Sequence, residues 1–305
     1  WSNLDIPTRR WTMYSVTKVK QFRRKFRTER DCIKYLSKHK WPEGFICPKC
    51  GHNKATIVST RKVYQCKNCH HQASVTANTI FHKTRKPLRD WFWAIFVVAT
   101  RKTGSSALQL KHDLDLSYPT AWLWCHKIRK AMQDRDSRYA LNGIIELDDT
   151  YIGGKKKPGK RGRGASGKTP VIVAVEARPK GSGHVALLKP NELSTDATRK
   201  FLDLKSHENA EFTSDGLSVY RSLAEDYNID CVALNSPQRA GEELPNVHRT
   251  IERLKTWIRG THTFVSNKHL NRYLAEFAYR YNRRFKSRRE TIFERLITAC
   301  CQSLP

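Results

Sequence analysis

The chain has 305 residues, 39% of them hydrophobic, enough for two or three compact units with cores of their own. Fifty-seven Lys and Arg against 28 Asp and Glu leave a formal charge of +29, which repels itself in a compact fold unless an anion offsets it. The most apolar stretch, Trp91 to Ala99, is too short to cross a bilayer, and no charged start with an apolar middle marks a secretory signal. Nucleic acid is the natural partner for such a chain, because phosphate contacts release counterions.

Residues 1–28 are polar and basic, with Arg23, Arg24, Lys25 and Arg27 close together, and read as an arm that orders on DNA. Residues 29–84 read as a zinc-ribbon domain. Cys47-Pro48-Lys49-Cys50 and Cys66-Lys67-Asn68-Cys69 have the spacing of a four-thiolate zinc site, with Gly51 where the first knuckle turns. Val63–Gln65 and Ala73–Thr76 are strand-like. The nine cysteines, an odd number, suit a reducing compartment and a metal better than a disulfide framework. Four thiolates complete a tetrahedron, so this zinc is structural and keeps no open position. A redox pair is the alternative, and His52, His70 or His71 could replace one thiolate. Lys49, Lys62, Tyr64 and Lys67 make the ribbon basic enough to touch DNA.

Residues 85–137 read as a helix-turn-helix domain. Pro87 suits a helix start, and Leu88, Trp91, Phe92, Ile95 and Phe96 follow a helical period. Gly104-Ser105-Ser106 breaks it, and either serine can cap the next helix. After a turn at 114–117, a third helix over 118–133 has Ala121, Trp124, Cys125 and Ile128 on one face. Ser117 to Trp122 would open a recognition helix carrying Lys127, Arg129 and Lys130 into the major groove. A plain helical connector is the alternative.

Residues 138–305 read as the catalytic domain. A strand over 144–152 ends at Gly153-Gly154, and a loop rich in Gly, Lys and Arg runs from 155 to 168. Val171–Val175 and Val185–Leu188 are apolar strands, and residues 194–206 form a helix that Ser194 can cap. A short strand over 210–213, a helix near 217–226 and a strand near 229–234 follow, and the rest is largely helical to about residue 300. Three strands, a helix, a strand, a helix and a strand is the order of an RNase H-like core. The fold class is therefore α+β multidomain: zinc ribbon, helix-turn-helix, and an RNase H-like core with a mixed sheet flanked by helices.

Two carboxylates stand at strand ends. Asp148 lies near the end of the first core strand, and Asp215 follows a short strand before a glycine. Carboxylates so placed can hold one or two magnesium ions for phosphoryl transfer, although a turn or cap role is common for aspartate. Asp149 is the adjacent alternative, but alternation sends it to the other face of the strand. A helix follows in which His248 and Glu252 are four residues apart, hence on one face, with Lys255 three further on. That face suits metal and phosphate, or a solvated salt-bridged surface.

These motifs together resemble the small zinc-ribbon DDE-type transposases of bacterial insertion sequences (the ISXO type), relatives of the Merlin elements. The resemblance runs over Cys47-x-x-Cys50, Tyr64-Gln65-Cys66-x-x-Cys69, Ala77 to His82, Ser106-Ala107-x-Gln109-Leu110, Ala121-Trp122, Glu146 to Gly154, Ser214-Asp215-Gly216, Leu254 to Trp257, Gly260-Thr261-His262, His269-Leu270 and Arg280 to Arg284. It implies that Asp148 and Asp215 are the first two catalytic acids. Members of that family carry Asn or Glu five residues after the histidine. Here that position is Arg253, a cation that would repel metal, and Glu252, one short, is taken as the third acid. The catalytic set is thus Asp148, Asp215, Glu252, Lys255 and His248, with Lys255 on phosphate and with magnesium or manganese on Asp148, Asp215 and Glu252.

The implied function is binding of terminal inverted repeats, then metal-dependent cleavage and strand transfer. The implied partners are double-stranded DNA at transposon ends and targets, and further copies of the chain in a homodimer or higher assembly. The implied location is the bacterial cytoplasm, at the nucleoid. A decayed or domesticated transposase that binds DNA without cutting it is the alternative. A resolvase-like nuclease with the same core is a third.

Overall fold

A computed structural model describes residues 16–153, 168–179, 181–232, 242–285 and 291–304. The expected basic loop lies outside these residues apart from Lys168.

Two short helices open the described chain, α1 (Val19–Lys25) and α2 (Glu29–Lys40). Thr28 starts α2 through a reciprocal capping box with Asp31. Glu29 and Asp31 in the first turn, and Lys38, His39 and Lys40 in the last, complement the helix dipole. Residues 16–28 are not the expected arm: Val16, Phe22 and Phe26 are buried, and Phe22 packs on Phe96 and Phe293. Phe22 and Phe26, four residues apart, give α1 one apolar side that the surrounding charge hides from a reading of composition.

The ribbon follows as an antiparallel sheet of β1 (Ala55–Val58), β2 (Val63–Cys66) and β3 (Gln72–Ser74) in that order. Next come α3 (Leu88–Thr100), α4 (Ala107–Leu114) and α5 (Tyr118–Asp136). The Ser106 side chain caps α4 by accepting from the Gln109 amide at 3.1 Å. Asp115, in the left-handed region at φ 48°, ends α4, and a three-residue turn leads into α5. Trp91 of α3 stacks on Trp124 of α5 at 4.0 Å.

The basic residues expected on the recognition helix are engaged within the protein. Arg129 is 2% exposed, Lys127 donates to the Ile80 carbonyl at 3.0 Å, and Lys130 pairs with Asp134 at 2.7 Å. Periodicity marks one covered face of α5, but it cannot reveal that a second unit covers another. Ser117, Tyr118, Pro119 and Leu123 are what the start of α5 leaves exposed.

The second unit is a five-stranded sheet of β4 (Ile144–Ile152), β5 (Thr169–Arg178), β6 (Gly181–Leu188), β7 (Glu211–Ser214) and β8 (Ile229–Cys231) in the order β6-β5-β4-β7-β8. The β6-β5-β4 meander is antiparallel, and β4-β7 and β7-β8 are parallel. This is the RNase H-like arrangement that the order of elements predicts. Ile145 and Leu147 face α6 (Thr195–Lys205) and the short α7 (Ser218–Arg221), in one core with Phe201, Phe212 and Tyr220. On the other face Ile152, Val171 and Val173 pack on α8 (Pro245–Trp257) and α9 (Leu270–Tyr281).

The last helix, α10 (Ile292–Gln302), leaves the catalytic unit to which the 138–305 boundary would assign it. Its stripe of Phe293, Leu296, Ile297, Cys300 and Cys301 is buried in the core of α1, α2, α3 and α5. An apolar stripe at helical spacing needs a cover, and the front helices supply it.

The two units are locked together. Arg129 and Glu276, 2% and 1% exposed, form an ion pair at 2.7 Å, with the Tyr273 ring 4.0 Å from the guanidinium. Arg280 donates to the carbonyls of Val98, Arg101 and Lys102 at the end of α3. Arg283 grips Asp136 at the end of α5 through two bonds of 2.7 and 3.0 Å. Asn282 meets the amide and carbonyl of Val185 on edge strand β6 at 2.8 and 3.0 Å. The Arg280 to Arg284 motif is thus a clamp between units. Among the described residues, no helix is long and apolar enough to cross a membrane.

Candidate active site

Asp148 projects from β4 toward α8 and is 6% exposed. The parallel register pairs Leu147 with Ser214 as its last pair, on strands about 4.8 Å apart, and Asp148 and Asp215 are the next residues along the two chains. Asp215 sits in a turn, where its carboxylate accepts from the Leu217 amide at 3.1 Å. Gly216 makes that turn at φ +70°, a conformation that a side chain resists. The Asp149 amide donates to Asp148 at 2.8 Å, while the buried Asp149 side chain takes the opposite face, as alternation requires.

α8 meets the acids with His248, whose Nδ1 is 3.7 Å from Asp148 Oδ2. Glu252 is one turn on, with its side chain 68% exposed and 3.5 Å from Lys255. Four residues carry Glu252 about 40° round the helix from His248, whereas five carry Arg253 about 140°. Glu252 is therefore the acid nearest the azimuth of His248. Among the described residues, no three carboxylates or imidazoles bring ligand atoms within 4.8 Å of one another, as the four thiols do.

One residue given no role by sequence reasoning holds this geometry together. Glu146, 4% exposed and two residues before Asp148 on the same face, accepts from the Asn246 amide at 2.7 Å, the Asn246 side chain at 2.6 Å and the Val247 amide at 2.7 Å. These are orphan donors at the start of α8, and a carboxylate there is favoured by the helix dipole. α8 is thereby tied to the strand that bears Asp148. A glutamate inside a buried strand was the available signal, since a buried carboxylate needs donors.

The second site is closed. Cys47, Cys50, Cys66 and Cys69 bring their sulfurs within 4.8 Å of one another, and the Cys47–Cys69 and Cys50–Cys66 pairs stand at 3.6 Å. Four sulfurs at about 2.3 Å from a central zinc are about 3.8 Å apart, so the set fits a tetrahedral ion. The Cys47 amide donates to the His52 carbonyl and the Cys66 amide to the His71 carbonyl, each at 2.9 Å, which folds both knuckles.

Two family models match the chain: the transposase zinc-ribbon domain over residues 27–72, and the ISXO2-like transposase domain over residues 140–282. Together they cover more than half of it. The chain belongs to the ISXO2-like transposases. The transposase-domain match runs from the sheet through α9 and stops short of α10, in agreement with the packing. A curated relative, an uncharacterized protein in transposable element ISH50 of Halobacterium salinarum, is 26% identical over 219 residues, 66% of this transposase and 72% of the relative. Solved structures of the mariner Mos1 transposase are also similar. A pre-cleavage transpososome aligns at 14% identity and TM-score 0.23, over 64% of this chain and 77% of that one. A paired-end complex with Mg aligns at 14% identity and TM-score 0.25, over 69% and 79%. A transposase of this family acts on DNA, and the four ribbon cysteines form a cluster that fits a structural zinc.

Proposed function

We propose that this transposase binds the terminal inverted repeats of its own element and catalyses metal-dependent cleavage and strand transfer there, with Asp148, Asp215 and Glu252 as its acids. The observation that supports the reading is the parallel register of Leu147 with Ser214, the residues just before Asp148 and Asp215, together with His248 of α8 3.7 Å from Asp148. Carboxylate oxygens are hard donors suited to magnesium or manganese, and a buried carboxylate needs donors or a cation to compensate it. When bound, such ions would activate the attacking oxygen and stabilise the leaving one. His248, beside Asp148, orients that carboxylate. Lys255 offers a cation to the phosphate, where charge develops in the transition state. The ribbon and front helices hold the end duplex, and water and then the freed 3′ hydroxyl serve as successive nucleophiles. Two or more copies act together at a pair of ends, in the bacterial cytoplasm at the nucleoid.

The test is direct. Purified protein, magnesium and end-containing duplex should give nicked and joined products, and Asp148→Asn should abolish them. Unchanged products from that variant would sink the assignment. The exposure of Glu252, with Arg253 where the family has Asn or Glu, favours a second reading in which the chain binds ends without cutting them. Specific end binding with no magnesium-dependent product selects it.

A further inference from the structure

Beside the acids, on the other flank of α8, runs a groove of about 770 Å³ between that helix and the connector from α3 to α4. Its lining includes Trp257, Phe277 and Tyr281. Phe277 lies between the other two rings, 5.8 Å from Trp257 and 5.6 Å from Tyr281. Trp257 is the least buried of the three, and its indole nitrogen donates to the Thr103 carbonyl at 2.8 Å.

The rim is cationic. Several of its arginines are already spent: Arg101 pairs with Asp113, Arg280 holds carbonyls, and Arg283 holds Asp136. Lys102, Arg249 and Arg253 are different, being exposed and, among the described residues, without an acid in ion-pair distance. Glu252 is the one acid among the described lining residues, and it is shared with the catalytic face of α8. Burial, together with the positive charges of Arg253 and Arg178, pushes the Arg284 guanidinium below its ordinary value. Positive potential has therefore gathered here, with Glu252 the one acid among the described lining residues to set against it.

An apolar, aromatic floor under free cations is poorly matched to a duplex, whose bases stack on one another and are covered by their backbones. It matches a single strand, which offers flat faces to aromatic rings and phosphates to the rim. We propose that the groove takes one unpaired strand of DNA, with a base against Trp257 and the flanking phosphates on Lys102, Arg249 and Arg253. That the strand is DNA rests on the reading of the adjoining site as a DNA-cutting centre. The position where Arg253 stands in place of the family's Asn or Glu thereby acquires a task of its own.

The experiment uses the full zinc-loaded chain with no added magnesium or manganese and no chelator, and a short single-stranded oligodeoxynucleotide carrying 2-aminopurine. Binding should quench the probe, Trp257→Ala should abolish the quench, and Trp257→Phe, which keeps a ring, should restore most of it. Arg253→Glu and Arg249→Glu should each weaken the strand tenfold or more. Each should also lower the log–log salt slope by about 0.7, the value of one phosphate contact on a single strand. Lys200→Glu, an equal charge reversal on the exposed side of α6 across the sheet, should leave binding as it was. The proposal is overturned if the arginine variants behave like Lys200→Glu, if the quench survives Trp257→Ala, or if a duplex of the same sequence is weakened as much as the strand. No cleavage is read, so strand binding that persists beside an inert magnesium reaction would sink the proposed activity and leave the groove standing.

Discussion

Replacing Glu146 tests whether α8, with His248 and Glu252, is held by β4, the strand that bears Asp148. Its carboxylate accepts three bonds of 2.6 to 2.7 Å from Asn246 and Val247, in a site 4% exposed. Hydrogen bonds to a charged group are worth roughly 1.5–3 kcal/mol each, and leaving buried donors unpaired costs about 1–3 kcal/mol apiece. Those terms overlap, so Glu146→Ala should destabilise by about 3–5 kcal/mol, as does breaking other buried charged contacts. Glu146→Gln keeps an oxygen for the two backbone amides, and Asn246 can turn its own amide to face the new one. It loses chiefly the charge at the helix start, about 1–2 kcal/mol. Urea unfolding measures both. The functional effect should exceed the stability effect, because a shift of about 1 Å in a positioned group can cost on the order of 100-fold in rate. Magnesium-dependent cleavage, assayed where each variant is fully folded, should fall by about that factor in Glu146→Ala and less in Glu146→Gln, with duplex affinity unchanged. Wild-type rates from a folded Glu146→Ala protein, or an unshifted urea midpoint, would refute the argument.

Other outcomes follow from the same structure. Each chain should bind one zinc, and chelation or Cys66→Ser should unfold the ribbon while leaving the RNase H-like sheet intact, as read by limited proteolysis. Arg129→Ala, which orphans Glu276, should cost about 3–5 kcal/mol, with little loss of duplex affinity in the protein that stays folded; a tenfold loss of affinity at unchanged stability would return Arg129 to the DNA. Burial, and then the charge of Arg129, hold His126 down to about 3, and burial holds His262 down to about 4. Both lie below the unfolded value of about 6.5, so the unfolded chain takes up protons first as pH falls. Their stabilising share is complete above about pH 6.5 and is lost progressively toward pH 4 and 3. Melting temperature should therefore drop across that window, less steeply in His126→Gln, and parallel curves would contradict this.

What could be read from the sequence were the features set by local rules. Cysteine spacing fixed the ribbon ligands, and the run of apolar and acidic residues at 144–152 marked the strand that carries Asp148. What escaped reading depends on partners distant in sequence. The charge of α1 hid Phe22 and Phe26, whose cover includes Phe293 from the far end of the chain. Lys127, Arg129 and Lys130 looked free for DNA because nothing in α5 tells that α9 lies against it. Glu146 looked like part of a motif until the start of α8 came to rest on it. Helical azimuth, which favours Glu252 over Arg253 beside His248, was readable from spacing; the exposure of Glu252 was not.

The packing of α10 into the front unit has a consequence for synthesis. The Val16 amide donates to the Glu294 carboxylate, 278 residues away, and the core around them needs residues 292–302. On the ribosome, every strand of the sheet emerges before that helix exists, so the half that carries the acids can mature while its companion still lacks a wall. A fragment stopped after residue 285 would keep the sheet and lose the packing of the half that carries zinc, becoming prone to aggregate through the apolar surface of α3 that it leaves bare.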